Sequence, residues 1–214
     1  MKSIHNTDLT ARKYIFLSCS LLLLAVLCFF ASVRQKQELL AEHVSPSVLR
    51  FHILADSDQV KDQNVKLEVR SLIMDYLSRK LDTGARKEDT VRYLSDHTAE
   101  IEQLANDYLA RRGFTYQASL ELTNCYFPLR TYGALTFPAG YYDAARIVMG
   151  SGAGHNWWCV LYPRFCFVDA ACTDVPAETL EKLKNSLKQD DYLALQDNRP
   201  EVKIRFFLFP FINP

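Results

Sequence analysis

A histidine, two tryptophans and two cysteines stand close together in the stretch HNWWCVLYPRFCF, residues 155–167. In an exported protein, Cys159 with His155 nearby could form the thiolate and imidazolium pair that cysteine hydrolases use as their nucleophile. The stretch is typical of a strand, however, on which these two residues would lie more than about 12 Å apart. A catalytic pair would therefore need a bend in the chain or a different histidine.

The same cysteines also suit a disulfide. Outside the apolar N-terminal run the chain has an even number of cysteines, and their three possible pairings involve Cys125, Cys159, Cys166 and Cys172. Thiols oxidise outside the cytoplasm, and Cys159 and Cys166 flank Pro163, which favours a hairpin turn. We predict a Cys159–Cys166 bridge and leave the pairing of Cys125 and Cys172 open. The close Cys-x2-Cys spacing usual for zinc is missing, so no metal site is expected.

Three further candidates favour structural roles. The segment GSGAG, residues 150–154, lacks the Gly-Lys-Ser/Thr end and the following helix of a phosphate loop, and it is predicted to be a flexible hairpin. His52 lies on a predicted strand with no acid assigned to orient it, which favours a structural histidine. Asp56 and Asp58 could begin a calcium loop, but the positions that follow carry no suitable ligand or glycine. Asp58 is therefore predicted to cap a helix.

An uncharged run of twenty residues, YIFLSCSLLLLAVLCFFASV, occupies residues 14–33. As a helix it would span about 30 Å, the thickness of the hydrocarbon core of a bilayer. Arg12 and Lys13 precede it, so the residues before it are expected in the cytoplasm and everything after residue 34 across the membrane. Phe29 or Phe30 would occupy a signal-peptidase position that requires a small residue, which favours an uncleaved anchor over a cleaved signal peptide.

The composition excludes some classes of function. Lys and Arg total 25 and Asp and Glu total 25 among 214 residues, which gives a formal net charge of zero and no cationic field for nucleic acid. A hydrophobic content of 49% supports a packed core. We expect no nucleic-acid partner, no small-molecule substrate and no cofactor.

Hydrophobic periodicity predicts an α+β fold. The predicted strands are residues 49–54, 114–122, 144–149, 157–161 and 201–209, and the predicted helices follow Asp58, run from 88 to 112 before a stop at Gly113, and include one at 177–199. The expected organisation is a cytoplasmic segment (1–13), a membrane segment (14–33), a tether (34–47) and one exported domain (48–214). That domain would hold one mixed or antiparallel sheet with two early helices.

Five stretches, in order along the exported part, resemble the stage II sporulation protein R family of endospore-forming bacteria. They are RFHILADSD (50–58), DQNVKLEVR (62–70), YGALTFPAGYYDA (132–144), NWWCVLYPRFCF (156–167) and VKIRFFLF (202–209). Asp56 stands where the family more often has Asn, and Arg164 where it has a second Pro. The resemblance implies a protein exported from the forespore into the space between the two membranes. There it would activate a membrane-embedded aspartic protease of the mother cell, which processes the pro-form of sigma factor E.

The resemblance implies a messenger and not an enzyme, and the residues themselves leave open an exported cysteine hydrolase that acts on peptidoglycan or peptide through Cys159. For the messenger we predict a partner-binding surface that consists of Gly154, His155, Asn156, Trp157 and Trp158. Adjacent strand residues point to opposite faces, so one tryptophan would anchor the core while the other stays at the surface. The alternative is a sheet covered on both faces, with both rings buried.

Overall fold

The computed structural model describes residues 2–82, 84–167 and 175–197, and this part of the chain is α+β. The helices are α1 (Lys2–Val44), α2 (Val60–Lys80), α3 (Lys87–Asp96), α4 (Thr98–Arg111), α5 (Ala177–Ser186) and α6 (Gln189–Asp197). The strands are β1 (Leu49–Leu54), β2 (Ala118–Phe127), β3 (Arg130–Tyr132), β4 (Leu135–Phe137), β5 (Gly140–Met149) and β6 (Asn156–Tyr162). The predicted fold class is confirmed, and the strand predicted at 201–209 lies outside the described residues.

Four strands form a mixed sheet in the order β2-β5-β1-β6, and β3 and β4 form a separate two-stranded sheet. β1 is parallel to β5 and antiparallel to β6, and β2 is antiparallel to β5. Since β5 and β6 flank β1 instead of pairing with each other, the hairpin predicted at residues 150–154 is wrong. The apolar strand β1 is buried at nearly every position and takes the central place between them, so the segment 150–154 crosses the end of β1.

Both faces of the sheet are covered near its centre. On one face, Phe51 and Ile53 of β1 and Ile147 of β5 are buried together with the apolar stripe of α2. The other face packs against the β3–β4 sheet, whose Tyr132 and Phe137 rings lie against the guanidinium of Arg50 of β1. Phe165 of the 3-10 helix Phe165–Phe167 packs on the same two rings. The core is thus a three-layer arrangement with the mixed sheet in the middle.

The second face buries a charged residue. Arg50 of β1 is fully buried, and its guanidinium lies 4.5 Å from the ring centre of Phe127 and 5.0 Å from that of Tyr142. Its Nε donates to the carbonyl of Cys159 at 3.1 Å, and its Nη2 donates to the hydroxyl of Tyr132 at 3.2 Å. Aromatic faces and these acceptors compensate the buried cation.

The ends of the helices follow local chemistry. Gly113 adopts a φ of 81° and stops α4, and its N–H and that of Phe114 donate to the carbonyls of Ala110 and Leu109, which is a Schellman ending. The predicted stop at Gly113 is confirmed, but the single helix predicted from 88 to 112 is divided at His97, which leaves helical geometry. The predicted helix at 177–199 is likewise two helices, α5 and α6.

The first helix is continuous from the apolar run into the domain. Among the described residues, α1 is the one helix long and apolar enough to cross a membrane. Beyond the apolar run α1 continues to Val44, and Ala41 and Val44 are buried in the core. Residues 34–47, predicted as a tether, are therefore a helical extension and a 3-10 turn that pack on the domain, because the polar segment also carries these apolar anchors.

Candidate functional site

Two loops meet at one end of the mixed sheet. Because β1 and β5 are parallel neighbours, the segments that follow them leave the sheet at the same edge. We call residues 55–59 and 150–155 the paired loops. They contain the sequences ADSD (55–58) and GSGAGH (150–155), which are distant in the chain.

Backbone groups of the second loop are bound by the first. The N–H of Gly154 donates to the carbonyl of Ala55 at 2.9 Å, and the N–H of Ser151 donates to the carboxylate of Asp56 at 2.6 Å. The N–H of His155 donates to the carboxylate of Asp58 at 2.7 Å. The prediction that Asp58 caps a helix is therefore wrong: Gln59 is the N-cap residue of α2, without a side-chain cap, and Asp58 binds the opposite loop instead.

Glycine is required where the two loops touch. A Cβ on Gly154 would overlap the backbone carbonyl of Ser57, which cannot move aside as a flexible side chain could. Gly152 has a φ of 64°, a left-handed conformation that other residues adopt only under strain. The loop is thus fixed in shape, in contrast to the flexibility expected from its glycine content.

Two buried polar side chains in the first two turns of α2 form hydrogen bonds to the paired loops. Asp62 is buried and accepts hydrogen bonds from the hydroxyls of Ser57 and Tyr116. Lys66, also buried, donates to the carbonyl of His155 at 2.8 Å, and this burial lowers its pKa. These two residues belong to the DQNVK segment (62–66), three residues after ADSD. The sequence did not single them out, because polar residues are common on the exposed faces of helices.

The outer surface of the site carries a hydrogen-bonded His–Asp pair and an exposed apolar side chain. His155 and Asp58 contact each other through Nδ1 and a carboxylate oxygen, and the hydrogen bonds from His155 hold the pKa of Asp58 below its usual value. The side chain of His155 is 80% exposed, and Val60, at the start of α2, is 75% exposed. Val60 lies between the ADSD loop and the apolar stripe of α2, and no sequence pattern there predicts that its side chain is exposed.

The two tryptophans lie on opposite faces of the sheet, and both are half-buried. Trp157 packs on Phe51 and lies under the guanidinium of Arg70 at 5.1 Å. Trp158 stacks on His52 with ring centres 4.8 Å apart. We expected one of the two rings to stay exposed at the surface. Neither ring is fully exposed, because both faces of the sheet are covered.

The five residues predicted to bind a partner are therefore not one surface. His155 and Trp157 lie on the side of α2, next to Lys66 and Arg70, and Gly154 is wedged between the loops. Asn156 and Trp158 point to the opposite face of the sheet, beside Leu54 and His52 of β1. The structure brings His155 together with Asp58 of the opposite loop, and Val60 follows that loop in sequence as the first residue of α2.

Cys159 and Cys166 form a disulfide with Cα atoms 5.8 Å apart. The connection is not the predicted hairpin, because β6 ends at Tyr162 and a 3-10 helix brings Cys166 back. Cys159 is fully buried and its sulfur is bonded to Cys166. In this state Cys159 offers no thiolate for catalysis. Cys172 lies outside the described residues.

A different cysteine and histidine lie close together. The Sγ of Cys125 is 3.6 Å from Nε2 of His52. Cys125 lies on β2 and His52 on β1, and no local sequence pattern indicates that these strands lie close together. Burial raises the pKa of the Cys125 thiol. Burial, with Arg146 and Arg50 nearby, lowers the pKa of His52 to about 4. Both shifts oppose formation of a thiolate and imidazolium pair, so at neutral pH the two groups are an uncharged thiol and an uncharged imidazole.

The described residues also contain no group of three or more His, Cys, Asp or Glu side chains arranged to hold a metal ion. The two carboxylates of the ADSD loop accept backbone N–H groups of the opposite loop. The site is therefore a surface whose loops are held by hydrogen bonds to each other, with a His–Asp pair and an exposed valine at its outer side.

Comparisons with known proteins point to one family. A family model described as stage II sporulation protein R matches residues 45–172, a span that includes β1, the paired loops and both bridged cysteines. Stage II sporulation protein R of Bacillus subtilis (strain 168) is 30% identical over 163 residues, which cover 76% of this chain and 72% of that protein. No solved structure matches the chain.

Proposed function

We propose that this chain, which belongs to the stage II sporulation protein R family, is an exported signal that acts by binding. Its partner would be a membrane-embedded aspartic protease of the mother cell, which then processes the pro-form of sigma factor E. The signal would be made in the forespore and exported into the space between the two membranes. Family membership carries the proposal, because the matched residues include the whole candidate site.

The chemistry of the site supports a binding role. Carboxylates of the first loop accept hydrogen bonds from N–H groups of the second, and the exposed side chains at this end of the sheet include the His155–Asp58 pair and, at the start of α2, Val60. A preorganised loop pair of this kind loses little conformational entropy when a partner binds. The apolar and charged groups together are suited to a protein surface and not to a small molecule.

The direction of the chain also supports a partner on the opposite side from the anchor. α1 packs on the start of β5, where a Cβ on Gly140 would overlap the Cβ of Ala41. β5 then runs ten residues to Met149, a length of about 30 Å. The paired loops therefore lie at the end of the sheet remote from the helix that would enter the membrane.

The hydrolase alternative has no observation in its favour. Its nucleophile, Cys159, is in a disulfide and fully buried, and the pKa shifts of Cys125 and His52 favour their neutral forms.

A matched pair of surface variants tests the proposal in sporulating cells that lack their own family member. We expect His155→Ala and Val60→Ser to reduce processing of the sigma-factor precursor, measured by immunoblot, while export and protein level stay unchanged. Leu193→Ser, at an exposed apolar position on α6, is the matched control and should leave processing normal. Normal processing with both loop variants would exclude the paired loops as the contact surface, and no processing with the wild-type chain would exclude the function.

A further inference from the structure

We propose that Tyr126 and Tyr141 sit in the headgroup layer of the membrane that α1 enters, and thereby seat the exported domain on the bilayer. This inference rests on one part of the proposed function, the retention of residues 14–33 as a membrane anchor. It does not depend on the protease or on the paired loops.

The first step is the short distance between the apolar run and the domain. Val33 is the last residue of the uncharged run, and α1 continues without a break to Val44. Ala41 is already buried against Gly140 of β5. The helix rises only about 10 Å from Arg34 to Ala41, and the headgroup layer on each side of a bilayer is roughly 5–8 Å thick. The start of β5 is therefore held at the membrane surface.

The second step is the character of the side chains at this end of the sheet. Tyr126 and Tyr141 face each other across β2 and β5, with ring centres 5.6 Å apart. Tyr126 is 41% exposed and Tyr141 is 64% exposed. Leu39, on the part of α1 that packs on the start of β5, is also exposed. Tyrosine combines an apolar ring with a polar tip, and it is enriched where hydrocarbon meets water.

The third step places this tyrosine pair beside the membrane boundary. Arg34, the first charged residue after the apolar run, lies one helical turn before Glu38, whose Cα is 4.0 Å from the position that a Cβ on Gly140 would occupy, next to Tyr141. Arg34 also forms an ion pair with Glu38 at 2.8 Å. Glu38 is the first acidic residue after the apolar run, and this pair compensates its negative charge next to the lipid headgroups. Asp143, two residues along β5 from Tyr141, is likewise paired with a cation, Lys87, at 2.9 Å. The two rings lie at the end of β2 and β5 that is next to α1, just beyond its apolar run.

A lipid surface fits this patch better than a protein partner does. A partner that bound here would have to approach within about 10 Å of the hydrocarbon boundary, on the side of the domain to which α1 is fixed. The bilayer occupies that position whenever the anchor is retained.

Tryptophan fluorescence of the full chain in phospholipid vesicles tests the contact. Tyr141→Trp adds a reporter at the proposed contact, and Thr115→Trp adds one at an exposed site near the opposite end of the sheet. The emission of the native Trp157 and Trp158, measured in the wild type, is subtracted. With a nitroxide on the lipid headgroup, we expect loss of the added emission for Tyr141→Trp and none for Thr115→Trp.

Two results would overturn the inference. One is equal emission of the two variants with and without the nitroxide lipid. The other is a Tyr141→Trp emission that resists both the nitroxide and aqueous acrylamide, since a protein, including a second copy of this chain, would then cover the site. An intact mass of the vesicle-bound protein confirms that the anchor is present, so a negative result would not count against the signalling function.

Discussion

Burial decides the charge of His52, the one histidine that is packed in the core of the described domain. Its imidazole stacks on Trp158 and contacts Cys125, with Arg146 on the neighbouring strand. Its pKa in the folded state is about 4, below the value of about 6.5 in an unfolded chain. The unfolded chain therefore takes up a proton between these two pH values and the folded chain does not, so stability is lost as the pH falls through this window.

We predict that the free energy of unfolding falls by about 2 kcal/mol between pH 7.5 and pH 5 because of His52 alone. His52→Gln should remove most of this difference, since the glutamine does not titrate. His97→Gln, on the helical side of the domain, is the control and should leave it in place. Urea denaturation of the full chain in a non-ionic detergent, followed by tryptophan fluorescence, measures the effect. An unchanged pH dependence in His52→Gln would contradict the assignment.

The disulfide gives a second prediction at the residue scale. The bridge closes a short loop, because Cys159 and Cys166 have a sequence separation of 7, so its contribution to stability is about 2 kcal/mol. The double variant Cys159→Ala, Cys166→Ala should unfold at a lower urea concentration and still signal at temperatures where it is folded. Cys28→Ser, in the apolar run, is the control and should not change stability. Loss of signalling in a folded double variant would favour a catalytic role for the thiol.

At the scale of elements, the contact between α1 and β5 depends on a single close approach. A methyl group on Gly140 would overlap Ala41, so Gly140→Ala should lower stability by about 1–3 kcal/mol. Adding Ala41→Gly should restore part of the loss, because it removes the overlapping methyl group at a helix-propensity cost of about 1 kcal/mol. Gly84→Ala, where only the Asp82 side chain is near, is the control and should be nearly neutral. Additive effects of Gly140→Ala and Ala41→Gly in denaturation experiments would show that the two positions are not coupled.

Sequence periodicity was sufficient for most elements but not for their arrangement. The alternation in β1 and the stop at Gly113 are local signals, and both predictions are confirmed. The change of period after Gly113 predicted a strand at 114–122, whereas β2 begins at Ala118 and continues to Phe127. The insertion of β1 between β5 and β6 is a long-range pairing, which no local pattern encodes. For the same reason the residues 150–154 were predicted as a hairpin, although they cross the end of β1.

The candidate site was predicted in part. Spacing and composition drew attention to the stretches that contain Asp58, His155 and the bridged cysteines. Their contacts depend on which loops meet in space, so the pairing of Asp58 with His155 and of Cys125 with His52 could not be foreseen. Val60 was missed because exposure of an apolar residue depends on what packs against it and not on its own sequence neighbourhood.

At the scale of the whole molecule, the proposed anchor and the paired loops lie at opposite ends of one rigid unit. The helix α1 is fixed to β5, and β1 and β5 run parallel toward the loops. We predict that a reporter fused after Pro214 that is active only in the cytoplasm will be silent, because Arg12 and Lys13 hold the preceding residues on the cytoplasmic side. Strong activity of this reporter would contradict export of the domain.

The central claim is that this protein activates a protease by binding and does not cleave a substrate itself. The most direct measurement is the cleavage rate of the sigma-factor precursor by the purified membrane-embedded aspartic protease in vesicles, with and without the full chain. We predict that cleavage requires both proteins, that His155→Ala weakens the activation, and that the folded variant Cys159→Ala, Cys166→Ala still activates. Cleavage by the full chain without the protease, or a protease rate that the full chain leaves unchanged, would contradict the account.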